Sequence, residues 1–386
     1  MRICVRAMGK RKVLFLIESL AGGGAEKVLM TLVQHIDKER FDVMVCAISG
    51  GGKYEEEIKR CVRYKAVLQE SLDCGFVARL IYLIKHHLVY KWLPLSWVYR
   101  LFLPQGNDVE VAFVEGFTTK LLGHSLNKKA MKYAWVHTDM YSNHWTGNVF
   151  KTVESEGKVY LRFHKVICVS KTAVDGFKRR FGIAKDSLAV VYNPIDSESI
   201  RKMVSEVEKE QRKCVRLVTV GRLEHQKGYD RLVQIVNRLV NDGMKLELWI
   251  LGVGSQKDWL EQYIMENNLS EQVKLLGFHS NPYKYIVQGD LFVCSSRCEG
   301  YSTAVTEALI LGVPVITTEC SGMRELLKNG ECGVITQNDD EALYKGMKTL
   351  LEDENLRERY RQKAVERGKD FTIESLMKPI EELLSK

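Results

Sequence analysis

The chain has 386 residues, more than one hydrophobic core usually takes, so two domains are expected. Hydrophobic content of 45%, charged content of 27% and only 6 prolines exclude a disordered, collagen-like or mucin-like chain. The balance of 57 basic and 49 acidic residues, +8, is too small to point to nucleic acid without a local patch. The 10 cysteines include no Cys-x-x-Cys pair, so neither a zinc site nor a disulfide framework is expected, and a reducing, cytoplasmic setting is.

The first apolar run, Val13–Ile17, stops at Glu18. It is too short for a secretory signal or a bilayer span and reads as a buried parallel strand. Met8 is an alternative start, with Met1–Ala7 a loose extension. Further strand-like runs follow at Phe41–Ile48, Val109–Val114, Lys132–His137, Val166–Ser170 and Leu188–Val191. A second series comprises Val215–Val220, Lys245–Leu251, Val273–Leu276, Leu291–Cys294, Val313–Thr317 and Gly333–Thr336. Near-continuous apolar strands alternating with helical patterns mean parallel sheets covered on both faces. Two series mean two doubly wound α/β domains. Their boundary is expected in Asn193–Lys213, where Asn193-Pro194 leads into a charged polar helix from Ser197 to Lys213. That gives one domain over 1–195, a second over 196–370, and an amphipathic C-terminal helix over 371–386.

Residues 79–103 stand apart. Arg79, Lys85, Lys91 and Arg100 are interleaved with Trp92, Trp97 and three tyrosines, and no acidic residue falls between Asp73 and Asp108. Two readings stay open: an amphipathic segment for the headgroup layer of an anionic membrane, or a core-facing helix with solvated lysines.

The chemistry is concentrated in the second half. Glu299 follows the strand Leu291–Cys294, and Glu307 lies about a turn into the next helix, which Ser302 or Thr303 would cap and Gly312-Val313-Pro314 would end. Helical side chains lean toward their N-terminus, so both carboxylates are placed to face one crevice, with free helix amides suited to a diphosphate. A carboxylate accepts hydrogen bonds from the vicinal hydroxyls of a sugar or ribose. The alternative for Glu307 alone is a solvated helix residue. In Gly221-Arg222-Leu223-Glu224-His225-Gln226-Lys227-Gly228, Arg222 and Lys227 leave the first strand of the second series beside glycines, a composition that suits a phosphate clamp. Gly252-Val253-Gly254 and Gly277-Phe278-His279 end the next two strands.

These motifs together resemble the retaining glycosyltransferases of family 4. They comprise the Glu299-x7-Glu307 signature, Gly221–Gly228, Ala21-Gly22-Gly23-Gly24-Ala25-Glu26, Trp135-Val136-His137-Thr138-Asp139, Val169-Ser170 and Tyr192-Asn193-Pro194. Ser302 stands where the family often has a glycine after Glu-Gly-aromatic. The resemblance implies the GT-B fold, two Rossmann-like domains facing each other across a cleft, with the first binding the acceptor and the C-terminal helix returning to it. It implies that Glu307 binds the ribose and that Glu299, with Gly300, Tyr301, Ser302 and Thr303, holds the donor sugar. Arg222 and Lys227, beside Gly221, would neutralise the diphosphate in place of a metal. Phe278 would hold the base, Gly23 and Gly24 would approach the phosphates, and His137 would reach the sugar. No cofactor is expected. The implied reaction moves a hexosyl or N-acetylhexosaminyl group from a nucleotide-sugar, taken as a UDP-sugar, to a glycan or lipid-linked acceptor in capsule-type polysaccharide synthesis. The enzyme is then expected on the inner face of the membrane, docked through 79–103.

Three other readings compete with this one. A nicotinamide dehydrogenase lacks its motif, since neither Gly22-Gly23-Gly24 nor Gly252-Val253-Gly254 is followed by the third glycine of Gly-x-Gly-x-x-Gly. An inactive nucleotide-sugar-binding subunit would not need Glu299, Glu307, Arg222, Lys227 and His137 together. A nucleotide-sugar epimerase of the same architecture is separated from a transferase by whether nucleoside diphosphate is released with an acceptor present.

Overall fold

The computed structural model describes residues 9–69, 76–208 and 213–386. The alternative start at Met8, the extension Met1–Ala7 and the end of the expected connector helix at 209–212 lie outside them. The chain divides into two compact units: Met1–Pro194 with Glu374–Lys386, and Ile195–Ile373.

In the first unit the strands are β1 (Arg11–Ile17), β2 (Phe41–Ser49), β3 (Arg63–Leu68), β4 (Val109–Ala112), β5 (Met131–Val136), β6 (Lys165–Cys168) and β7 (Leu188–Val190). They pair in parallel in the order β3-β2-β1-β4-β5-β6-β7. The second unit contributes β8 (Val215–Val220), β9 (Leu246–Leu251), β10 (Val273–Gly277), β11 (Leu291–Cys294), β12 (Val315–Thr318) and β13 (Val334–Thr336). Their order is β10-β9-β8-β11-β12-β13, again parallel. Central strands are buried on both faces; Val13 to Ile17 of β1 are essentially inaccessible, which is why they read as unbroken apolar runs.

β3 is absent from the sequence reading. It is an edge strand whose Arg63 and Lys65 face solvent, so it carries no apolar run, and charged edges are how sheets avoid further pairing. The connector also differs from expectation. Its helix covers only Ser197–Lys202, capped by the Asp196 carboxylate, which accepts from Ser199 N at 2.8 Å. Looser i→i+3 turns follow (Val204 N to Arg201 O, Ser205 N to Lys202 O), because no residue from 201 to 208 is buried to hold a longer helix.

In both sheets the strand order reverses beside the first strand of the unit, between β1 and β4 and between β8 and β11. At such a switch point the two strand-end loops diverge and leave a crevice at the carboxyl edge, where α/β sheets bind ligands. The C-terminal helix Ile373–Leu384 belongs to the first unit, where Tyr133 Oη donates to Leu383 O (3.1 Å) and Arg40 pairs with Glu381 (3.0 Å).

Candidate active site

At the switch point of the second unit, the loop after β8 and the loop after β11 are knitted into one body. Ser295 Oγ donates to Lys227 O (2.9 Å), Arg297 N to Gln226 O (2.7 Å) and Gln226 Nε2 to Cys298 O (2.9 Å). Arg297 forks onto both oxygens of Asp230 at 2.7 and 2.8 Å. Beneath them Arg231, 4% exposed, gives Nε and Nη2 to Ser295 O (2.8 and 2.5 Å) and Nη2 to Ser296 O and Asn338 Oδ1 (2.8 Å each). Two glycines make this closeness possible. A Cβ on Gly228 (φ +66°) would overlap Ser295 O, and one on Gly252 (φ +144°) would overlap Gly221 O.

Within this body Lys227 Nζ meets Glu299 Oε1 at 2.7 Å, and Ser296 Oγ donates to the same oxygen at 2.5 Å. Burial by itself would pull the Lys227 ammonium below its ordinary pKa, but the charge of Glu299 and its hydrogen bond outweigh that and hold it above. Lys227 therefore stays a cation, with donors left for a second anion. Arg222, on the same loop, is exposed, and among the described residues none makes a hydrogen bond or ion pair with its guanidinium. Glu307 sits in the second turn of helix Thr303–Ile310 and is 3% exposed, so the solvated-residue reading is wrong. Ser302 caps that helix, its Oγ accepting from Val305 N (3.3 Å); at φ −73°, ψ 113° this backbone needs no glycine. Gly300 and Tyr301 are buried in the same turn, Thr303 opens the helix, and Phe278, 45% exposed, follows β10 at the same carboxyl edge.

The first unit builds its edge differently. Gly23 and Gly24 open helix Gly24–His35 after β1, and the N-cap Gly23 has no side chain to bond its first amides. After β4, Glu115 is 3% exposed, and its Oε1 accepts from the backbone amides of His137 (2.6 Å) and Thr138 (2.7 Å). Burial pushes this carboxyl up to about 7 despite those bonds. His137, just past β5, lies parallel to Trp135 (6.2 Å, 8°) and 5.0 Å from the Phe113 ring. Burial draws its pKa down to about 4, and its buried Nε2 has no hydrogen-bond partner among the described residues.

The comparisons agree with this architecture. The model for Glycosyltransferase Family 4 matches residues 22–199, and that for Glycosyl transferases group 1 matches 200–367. A curated relative from Campylobacter jejuni is 30% identical over 94% of this chain and 96% of its own. It is N-acetylgalactosamine-N,N'-diacetylbacillosaminyl-diphospho-undecaprenol 4-alpha-N-acetylgalactosaminyltransferase. The chain belongs to glycosyltransferase family 4. The 2-deoxystreptamine N-acetyl-D-glucosaminyltransferase of Niallia circulans is 26% identical over 51% of this chain and 53% of its own. Anabaena HepE, solved with UDP and glucose, superposes with a TM-score of 0.76 at 19% identity, covering 97% of this chain and 100% of its own. The glycosyltransferase thus has the GT-B fold of two Rossmann-like domains.

Of the residues singled out in the sequence, the second unit brings Gly221, Arg222, Lys227, Glu299, Gly300, Tyr301, Ser302, Thr303 and Glu307 to the loops of one switch point. Gly23, Gly24 and His137 lie on strand-end loops of the other sheet. The sequence reading missed the residues that support the site: Asp230, Arg231, Arg297 and Glu115. A signal existed for two of them. Arg231 interrupts the buried face of helix Tyr229–Asn241, and Glu115 follows an apolar run as Glu299 does.

Proposed function

We propose that the glycosyltransferase moves a hexosyl or N-acetylhexosaminyl group from a UDP-sugar to a lipid-linked glycan acceptor, with retention and without a metal. The setting is cell-surface polysaccharide synthesis at the cytoplasmic face of the membrane. The observation that carries this reading is the Lys227–Glu299 pair at the switch point, with the exposed Arg222 on the same loop. Breaking the anomeric bond builds positive charge on the sugar and negative charge on the departing diphosphate. Arg222, the remaining donors of Lys227 and the helix amides offset the latter. Glu299, held by Lys227, accepts from donor-sugar hydroxyls, and Glu307 takes the ribose. Gly221 and the turn Gly300–Thr303 let the backbone approach the phosphates and sugar, and Phe278 flanks the base. Gly23, Gly24 and neutral His137 are what the first unit contributes. The acceptor hydroxyl attacks from the leaving-group side and passes its proton to the departing phosphate, so no protein nucleophile is invoked. The names of the relatives support the sugar and acceptor classes: one acts on a diphospho-undecaprenol-linked sugar, and HepE was solved with UDP and glucose.

The test is UDP release from a panel of UDP-sugars, with and without a lipid-extract acceptor and with EDTA, followed by NMR of the product anomer. Acceptor-dependent release, unaffected by EDTA and giving an α-linked product from an α-donor, is expected. Sugar conversion without UDP release would replace the reading with an epimerase. UDP binding without turnover on any donor would replace it with an inactive subunit.

A further inference from the structure

The segment left open in the sequence has one face in the core and one outside it. Tyr82, Tyr90 and Leu93 pack against the core of the first unit, and Val89, Val98 and Tyr99 are wholly buried. On helix Phe76–His87, however, Leu80, Ile81, Leu83 and Ile84 are 44–59% exposed, an apolar face that a merely core-facing helix with solvated lysines would not present. At about 100° per residue these four span an arc of roughly 160°, with Arg79 and Lys85 at its two borders and Tyr82 opposite. On helix Leu95–Phe102, Trp97 (61%) and Leu101 (59%) share an exposed stripe with Arg100. Trp92 (63%) and the exposed Lys91 sit at the turn between the helices, and Lys85 Nζ lies 5.7 Å from the Phe102 ring.

We infer that this outward face docks the glycosyltransferase onto an anionic lipid surface. The apolar stripes enter the acyl boundary, the two tryptophans lie at headgroup level, and the four cations meet lipid phosphates. The charge pattern selects this occupant: from 76 to 107 the sequence has no acidic residue to oppose anionic lipid. No described helix is long and apolar enough to cross a membrane, so insertion here is shallow. The same segment reaches the catalytic edge, because Tyr90 Oη donates to Glu18, which follows β1 just before the Gly22–Gly24 loop. Docking thus brings the first unit's sheet edge to the membrane. This deepens the proposed function by giving its lipid-linked acceptor a platform.

The experiment is sedimentation with phosphatidylglycerol and phosphatidylcholine vesicles that contain neither donor nor acceptor, with UDP calorimetry and circular dichroism on every variant. Wild type should pellet with phosphatidylglycerol, release with salt and bind phosphatidylcholine far less. Lys85→Glu/Lys91→Glu/Arg100→Glu should lower partitioning by about 100-fold, the scale of three surface cations, and leave UDP affinity and folding unchanged. Trp92→Ser/Trp97→Ser should lower it by about 10-fold. Wild type remaining in the supernatant, or the triple variant pelleting equally, overturns docking. So does a wild-type dimer that Trp92→Ser/Trp97→Ser dissociates, since a second copy would then cover the face. Because no transfer is read, docking can fail while UDP-sugar turnover stands, and turnover can fail while docking stands.

Discussion

The two units share one plan, a parallel sheet whose strand order reverses beside its first strand, yet their switch points are built from different materials. In the second unit the loops are tied to each other by charged side chains: Arg231 to Ser295 and Ser296, Arg297 to Asp230, Lys227 to Glu299. In the first, a glycine loop without a side-chain cap lies beside one buried carboxylate that holds backbone amides, and an apolar face is left open to solvent. Fixed charges suit a ligand that is always the same, a diphosphate. Backbone amides and an amphipathic surface suit the partner proposed for the first unit, an acceptor that varies in shape and is partly lipid. The shared fold provides the crevice, and side-chain chemistry decides how rigid it is.

If that contrast is right, the largest effect follows from cutting the tie beneath the second switch point. Arg231→Ala removes a buried guanidinium that satisfies Ser295 O, Ser296 O and Asn338 at once. The expected loss is about 3–5 kcal/mol of stability, with UDP binding lost alongside. Arg231→Lys should fare nearly as badly, because an ammonium carries its three donors on one nitrogen and cannot reproduce the planar fork of Nε and Nη2. UDP affinity retained by Arg231→Lys in calorimetry would mean the loops are not held as rigidly as the hydrogen bonds imply.

The corresponding test in the first unit uses pH. Glu115 is pushed up to about 7, so the stability it contributes is full below the ordinary carboxylate range and is lost as pH rises through 7. His137 is drawn down to about 4, so its contribution is full above the ordinary histidine value near 6.5 and is lost as pH falls through 4. Each is worth about 3 kcal/mol at full titration, and between about pH 4.5 and 6.5 their slopes oppose. Removing one should expose the other: Glu115→Gln should lose stability on acidification across that window, and His137→Phe should gain it. Thermal melts at half-unit pH intervals measure both slopes, and equal slopes in the two variants would show that these groups do not govern the first unit.

Much of this layout was legible in the sequence, and the exceptions have a common cause. Apolar runs revealed the central strands because burial on both faces leaves no room for polar residues. β3 escaped because an edge strand is wetted on one side, and its Arg63 and Lys65 broke the pattern. The strand-end positions of Glu299, Lys227 and His137 could be read because a strand's end fixes where the next residue emerges. The supporting residues could not, because Arg231 meets Asn338 across 107 positions and Glu115 meets His137 across 22. Long-range pairing is set by tertiary packing and leaves no local spacing to detect.

A smaller effect separates binding from turnover. Lys227→Ala should weaken UDP by about 2–3 kcal/mol, the scale of a charge-assisted hydrogen bond, and leave the buried Glu299 without its cation. His137→Ala, in the first unit, should leave UDP affinity within about two-fold and lower the turnover rate instead. Calorimetry and steady-state rates on the two variants test the division of labour, which fails if His137→Ala costs as much UDP affinity as Lys227→Ala.

The smallest effect is expected at Ser302, where this chain departs from the glycine often found in the family. Ser302 spends its side chain on the helix, accepting from Val305 N at 3.3 Å, and its φ of −73° is open to any residue. Glycine is itself an acceptable N-cap, so Ser302→Gly should cost only a few tenths of a kcal/mol. The loops on either side are held by Arg231, Arg297 and Gln226, which bond Ser295, Ser296, Asn338, His225, Asp230 and Cys298. UDP affinity and donor preference should therefore remain as in wild type. A changed donor preference, read from UDP release across the same sugar panel, would mean that the cap sets the turn holding the sugar. The rigidity of the second switch point would then rest on the helix start as well as on the charged ties beneath it.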